Sequence, residues 1–146
     1  MTDGFHPESG ENLVQNAGKS GRVAIHDFTL SPPKSVSVVW SQANEGLKAK
    51  IEEIQSSASK RFLDYIGQKA LTRLGSKGVS HVKGMLRGAM FERGSSREGD
   101  PLLHTHSVLM GVVELENGKT GALEARDMLR WLGAGASLYH ADWAYQ

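Results

Sequence analysis

Leu103-His104-Thr105-His106-Ser107 lies inside a run, residues 102–115, that reads Leu-Leu-His-Thr-His-Ser-Val-Leu-Met-Gly-Val-Val-Glu-Leu. Its density of aliphatic and β-branched residues, without proline, predicts a strand. Side chains on a strand alternate between faces, so His104 and His106 share one face, about 6–7 Å apart. Imidazole nitrogens at that spacing can share one divalent ion. Two unrelated histidines, one of them merely hydrogen-bonded, would give the same His-x-His spelling. The polar turn before it, Ser96-Arg97-Glu98-Gly99-Asp100-Pro101, delivers the chain directly into the pair.

Upstream, Val23-Ala24-Ile25-His26-Asp27-Phe28-Thr29-Leu30 predicts a second strand. Asp27 interrupts its apolar pattern, and a carboxylate there is exposed, hydrogen-bonded or paired. It can orient a metal-bound imidazole or act as a base. His26 falls on the opposite strand face and reads as a half-buried structural histidine. Ser31-Pro32-Pro33 ends the strand, with Ser31 placed to cap a helix that has Pro32 at its first position. For residues 34–40 composition favours a strand and the cap signal a helix; the reading is a short helix. Lys34, at this junction, is a candidate phosphate contact.

From about Asn44 to Leu74, Leu47, Ile51, Ile54, Ala58, Phe62, Ile66 and Ala70 recur at steps of three or four. That spacing predicts one long amphipathic helix. Gly75 and Gly78 bracket a turn, and residues 79–91 predict a strand weakened by Gly84 and Gly88. Residues 94–101 read as a polar loop, and Glu116-Asn117-Gly118-Lys119 as a tight turn. From Glu124 onward the pattern is helical, with Gly133-Ala134-Gly135-Ala136 marking a break or a close helix contact. Tyr65, Tyr139 and Tyr145 read as packing residues.

The chain has 146 residues, 39% hydrophobic and 23% charged, with a net charge of +1, which fits one folded domain and excludes wholesale disorder. Without cysteine there is no disulfide framework and no thiolate zinc site, so any metal uses His, Asp or Glu. No apolar run reaches a membrane span and no signal peptide opens the chain, which predicts a cytoplasmic protein. No Gly-x-x-x-x-Gly-Lys-Ser/Thr loop is present, so nothing indicates a nucleotide triphosphatase. Between residues 73 and 97, six cations, Arg73, Lys77, Lys83, Arg87, Arg93 and Arg97, stand against the single acid Glu92. Such a stretch either faces phosphates or forms a solvated basic edge.

Two of these segments resemble conjugative DNA relaxases of the MobF class, the TrwC-like relaxase domains. Asp27-Phe28-Thr29-Leu30-Ser31-Pro32-Pro33-Lys34-Ser35-Val36-Ser37 is similar to their D-L-T-F-S-A-P-K-S-V-S segment. Residues 91–106, F-E-R-G-S-S-R-E-G-D-P-L-L-H-T-H, are similar to F-x-H-x-T-S-R-x-x-D-P-x-L-H-T-H. Residues 14–18 and 138–141 add to the likeness. The resemblance implies an α+β fold of the histidine–hydrophobe–histidine endonuclease type, an antiparallel sheet with helices on one face. It implies nicking of single-stranded DNA at a transfer origin by transesterification. A tyrosine attacks the scissile phosphate, and three histidines hold a divalent ion (Mg, Mn or Zn) that polarises it. His104 and His106 match two ligands, Asp27 the neighbouring acid, and Lys34, Arg93 and Arg97 become phosphate contacts.

The third histidine of the motif falls on Arg93. A guanidinium cannot ligate a metal and repels a cation beside it, although it can meet a phosphate directly. The family's nucleophilic tyrosine lies upstream of the matching region, and no tyrosine here precedes Tyr65. The chain is therefore expected to be a single partial domain, residues 1–146, that lacks the tyrosine-bearing segment, binds metal weakly or not at all, and does not nick DNA alone. Its expected partners are single-stranded DNA and the remaining parts of its parent or other transfer proteins. Two alternatives stand beside this: a non-enzymatic DNA-binding remnant, and a small metal-dependent hydrolase using His104, His106 and Asp27.

Overall fold

The computed structural model describes residues 3–74 and 80–145, without the Leu74 side chain. In chain order the elements are β1 (Ile25–Leu30), α1 (Lys34–Gln42), α2 (Glu45–Gly67), β2 (Leu71–Leu74), β3 (Ser80–Lys83), β4 (Met85–Ser95), β5 (Pro101–Glu114), β6 (Thr120–Ala122), α3 (Ala125–Leu129) and α4 (Leu132–Tyr145). One sheet has the order β1-β5-β4, with β6 also paired to β5, and β2 and β3 form a second. β2–β3 and β5–β6 are antiparallel. So is β1 against β5: Gly111 N–H donates to the Ala24 carbonyl, whereas Asp27 and Thr29 meet His106, so the partners run in opposite senses. The expected α+β class with an antiparallel sheet is what the chain forms.

The chain packs as two units: Met1–His26, Tyr65–Ala89 and Val108–Leu132 in one, Asp27–Asp64, Met90–Ser107 and Gly133–Gln146 in the other. In the first, Gly84 lies where a Cβ would stand 2.6 Å from that of Val113. No other residue fits such an approach, and here the predicted strand 79–91 divides into β3, paired to β2, and β4 (Val79, Gly75, Gly78 and Lys77 lie outside the described residues). The turn at 116–119 forms as read, with Leu115 N–H bonded to the Lys119 carbonyl. Tyr65 meets Trp131 edge to face, with the Lys69 ammonium over both rings.

In the second unit, α2 supplies the core. Asn44 Oδ1 accepts from Leu47 N–H at its start, as a capping side chain does. Ile51, Ala58 and Phe62 are buried in this unit, and Phe62 meets Phe28 of β1 edge to face. The buried stripe is rotated from the predicted one: Leu47 is exposed, while Gln55 and Ser59 are fully buried. The helix stops at Gly67, not Leu74. Gly67 is a poor helix former, the chain turns through Ala70 N–H to the Gly67 carbonyl, and Thr72 then pairs with Val82 in β2–β3.

α1 forms as expected, but Ser31 does not cap it: Pro33 holds the N-cap position with no side-chain cap bond. Pro32 precedes a proline and is barred from helical geometry, so the helix waits until Lys34. β4 continues through Ser95 into the segment read as loop, because Gly94 lies against the Trp40 indole with no room for a side chain. The helical C-terminal pattern is interrupted at Arg130-Trp131, just before the small-residue run.

Candidate functional site

Alternation sorts the second unit's residues onto two sheet faces. Phe28 packs on Phe62 of α2, and Thr105 Oγ1 accepts from Gln55 Nε2 at 2.8 Å. Both therefore face the helices. Asp27, Thr29, His104 and His106 lie on the other face. The His104 and His106 rings stand 5.0 Å apart, nearly perpendicular. His106 Nδ1 is 3.0 Å from Asp27 Oδ2, 3.2 Å from Oδ1 and 3.3 Å from Thr29 Oγ1. His104 Nδ1 is 2.9 Å from the Leu102 carbonyl.

These partners set the tautomers. An ionised carboxylate and a backbone carbonyl only accept, so in the neutral imidazoles Nδ1 carries the proton and the lone pair is on Nε2. This is the tautomer a metal ligand or a proton acceptor needs, and the carboxylate behind His106 fixes the orientation of that ring. His104 is buried and His106 partly so, while Asp27 is exposed. His26, half-buried, has its imidazole pKa lowered by burial, which fits the structural role read for it.

Arg93 falls on the histidine face by the same rule. Glu92 lies among Glu52 and Ser56 of α2, and Gly94 against Trp40 of α1. Both neighbours face the helices, so Arg93 between them faces away. Burial and the Glu52 carboxylate push the Glu92 pKa up, with the Ser56 hydroxyl opposing. Arg93 and Arg97 are exposed and have no hydrogen-bond or ion-pair partner among the described residues. Lys34 donates from Nζ to the Pro101 carbonyl at 2.8 Å, which ties the start of α1 to the start of β5. The basic stretch is partly neutralised: Arg73 pairs with Glu124 and Arg87 with Glu114, each at 2.6 Å.

The two imidazoles are suitable metal donors, but no third imidazole joins them among the described residues. No group of three His, Asp or Glu side chains able to hold a metal occurs among the described residues. Asp27 is engaged by His106, and Arg93 repels a cation. Among the described residues the donor set is right in kind and short in number.

Sequence reasoning missed the support beneath the site. Gln55 Nε2 lies within bonding distance of the Leu30 carbonyl, Ser59 Oγ and Thr105 Oγ1, and Gln55 Oε1 accepts from the Tyr139 hydroxyl at 2.6 Å. Ser37 Oγ accepts from Leu103 N–H. Thr105 and Leu103, the neighbours of His104, are thus clamped from α2 and α1. The legible signal was Gln55 and Ser59, polar residues four apart on the apolar side of a helix. Tyr139 is buried as expected, and burial pushes its phenol up to about 12. Tyr145 is 90% exposed at the end of α4, contrary to the packing role read for it.

Paired imidazoles backed by a strand carboxylate thus lie together on an antiparallel sheet lined by helices. The chain belongs to the TrwC relaxase family, whose model matches residues 1–146. It is 27% identical over 136 residues to the multifunctional conjugation protein TraI of Escherichia coli K12, covering 85% of this chain and 8% of that protein. Its fold is similar to a metal-bound structure of the conjugative relaxase TrwC in complex with oriT DNA, at TM-score 0.81 and 25% identity, covering 94% of this chain and 48% of the other. TrwC complexed with a 27-mer comprising the recognition hairpin and the cleavage site superposes at TM-score 0.74 and 25% identity, covering 91% and 51%. The chain thus spans about half of the TrwC structures and less than a tenth of TraI.

Proposed function

We propose that this chain is the phosphate-handling part of a conjugative relaxase and binds single-stranded DNA across the face that carries Asp27, His104, His106 and Arg93. The observation that carries the reading is the Asp27–His106 bond beside His104, with both Nδ1 atoms engaged and the two rings 5.0 Å apart. Lys34 and Arg97 flank it as backbone contacts, in keeping with the TrwC complexes with oriT DNA. No helix of the described residues is long and apolar enough to cross a membrane, and the DNA-binding reading is in keeping with a cytoplasmic protein.

Within these residues no tyrosine serves as nucleophile. The Tyr139 hydroxyl is buried and committed to Gln55 on the helix side. Tyr65 packs edge to face on Trp131 in the other unit. Tyr145 is exposed on α4 and has no base beside it among the described residues. Strand cleavage by a tyrosine therefore calls for one other than these three.

The test is incubation with a single-stranded oligonucleotide carrying a transfer origin, with manganese, followed by a native and a denaturing gel. The native gel should show a shift and the denaturing gel no adduct. A covalent band lost in Tyr145→Phe or Tyr65→Phe would mean that the chain carries its own nucleophile. Cleavage without an adduct would favour the hydrolase alternative, and no shift at all would overturn the reading.

A further inference from the structure

We propose that Arg93 makes this a metal-independent phosphate site, in which a guanidinium built into β4 supplies the positive charge that an ion held by three donors would otherwise bring. The proposal rests on the DNA-binding reading above and goes beyond it by stating where the cation comes from.

Three observations converge. Alternation along β4, fixed by Glu92 against α2 and Gly94 against Trp40, puts Arg93 on the face of His104 and His106. Its guanidinium is exposed and uncommitted among the described residues, whereas Arg73, Arg87 and Arg61 are each held by a carboxylate. Among the described residues the donors that remain, two imidazoles, fall short of the three protein ligands that even an open catalytic site uses. A divalent ion placed there would lose a ligand and gain a like charge. A phosphate placed there meets a planar fork that can grip two of its oxygens and stays charged at all working pH values. Asp27, the carboxylate on this face, is turned to His106 and so is partly screened from an incoming anion.

The experiment compares the unmodified chain with Arg93→His, Arg93→Lys and Arg93→Ala. Arg93 is exposed, so all should fold, which circular dichroism and urea midpoints verify. The probes are a short fluorescein-labelled single strand, read by anisotropy with EDTA or with manganese, and manganese alone, read by electron paramagnetic resonance. The unmodified chain should bind the strand equally, within about twofold, under both conditions. Arg93→Ala should bind it about tenfold more weakly under both, and Arg93→Lys in between. Arg93→His should be weak in EDTA, recover with manganese, and bind manganese itself about tenfold more tightly than the unmodified chain. If EDTA weakens the unmodified chain as strongly as Arg93→Ala does, or if Arg93→Ala binds like the unmodified chain, the proposal is overturned while DNA binding stands. If the unmodified chain does not bind the strand at all, the functional reading falls and the proposal with it.

Discussion

Tyr139 shows how much a single buried hydroxyl holds at the residue scale. It donates to Gln55 Oε1 at 2.6 Å, and burial pushes its phenol up to about 12 from 10.0. The raised value fixes the sign of the linkage. Below pH 10 both folded and unfolded phenols are protonated and the contribution to stability is complete. Between pH 10 and about 12 the unfolded phenol ionises first, and that contribution is lost as pH rises. Tyr139→Phe should cost about 1–2 kcal/mol at pH 8 by leaving Gln55 Oε1 unsatisfied. The gap between the two proteins, measured by urea unfolding, should narrow as pH climbs toward 12. A gap independent of pH over that range would show that the phenol is not held protonated by the fold.

At the scale of elements, α2 is both a packing helix and the clamp beneath the histidine strand. Gln55→Leu preserves volume but strands the Leu30 carbonyl, Thr105 Oγ1 and the Tyr139 hydroxyl, which it bonds now. A loss of about 2–4 kcal/mol in unfolding free energy is expected, and the β5 amides near Thr105 should exchange hydrogen faster. Little of this was legible beforehand. The histidine pair, the Asp27 strand, the helix start at Asn44 and the Asn-Gly turn follow from local rules, because alternation, capping and turn chemistry act over a few residues. The end of α2, the division of β3 from β4 and the extension of β4 past Gly94 were not legible. Each is decided by a distant partner: Thr72 by Val82, Gly84 by Val113, Gly94 by Trp40. Arg93 was legible as a departure from a motif, and only alternation among packed neighbours gives it a face.

Over the whole molecule, charge is less available than the sequence count implies. Two of the six cations between residues 73 and 97 are bound to Glu124 and Glu114. Lys77 lies outside the described residues, and of the rest Arg93 and Arg97, with Lys34 from the start of α1, are the three phosphate contacts proposed around the histidines. Three contacts on a single strand give a slope of log affinity against log salt of about −2, against about −4 for six. Anisotropy titrations over a range of sodium chloride concentrations measure it, and a slope near −4 would mean that the ion-paired arginines also release their partners to DNA. The hairpin of β4 and β5 carries Arg93, His104 and His106 on neighbouring strands, with Arg97 in the turn that joins them. Arginine codons of the CGY type and histidine codons of the CAY type differ by a single G-to-A transition. A lineage can therefore cross between ion-requiring and ion-free versions of such a hairpin in one mutational step, with no intermediate generation in which the strand face carries neither a third ligand nor a fixed cation.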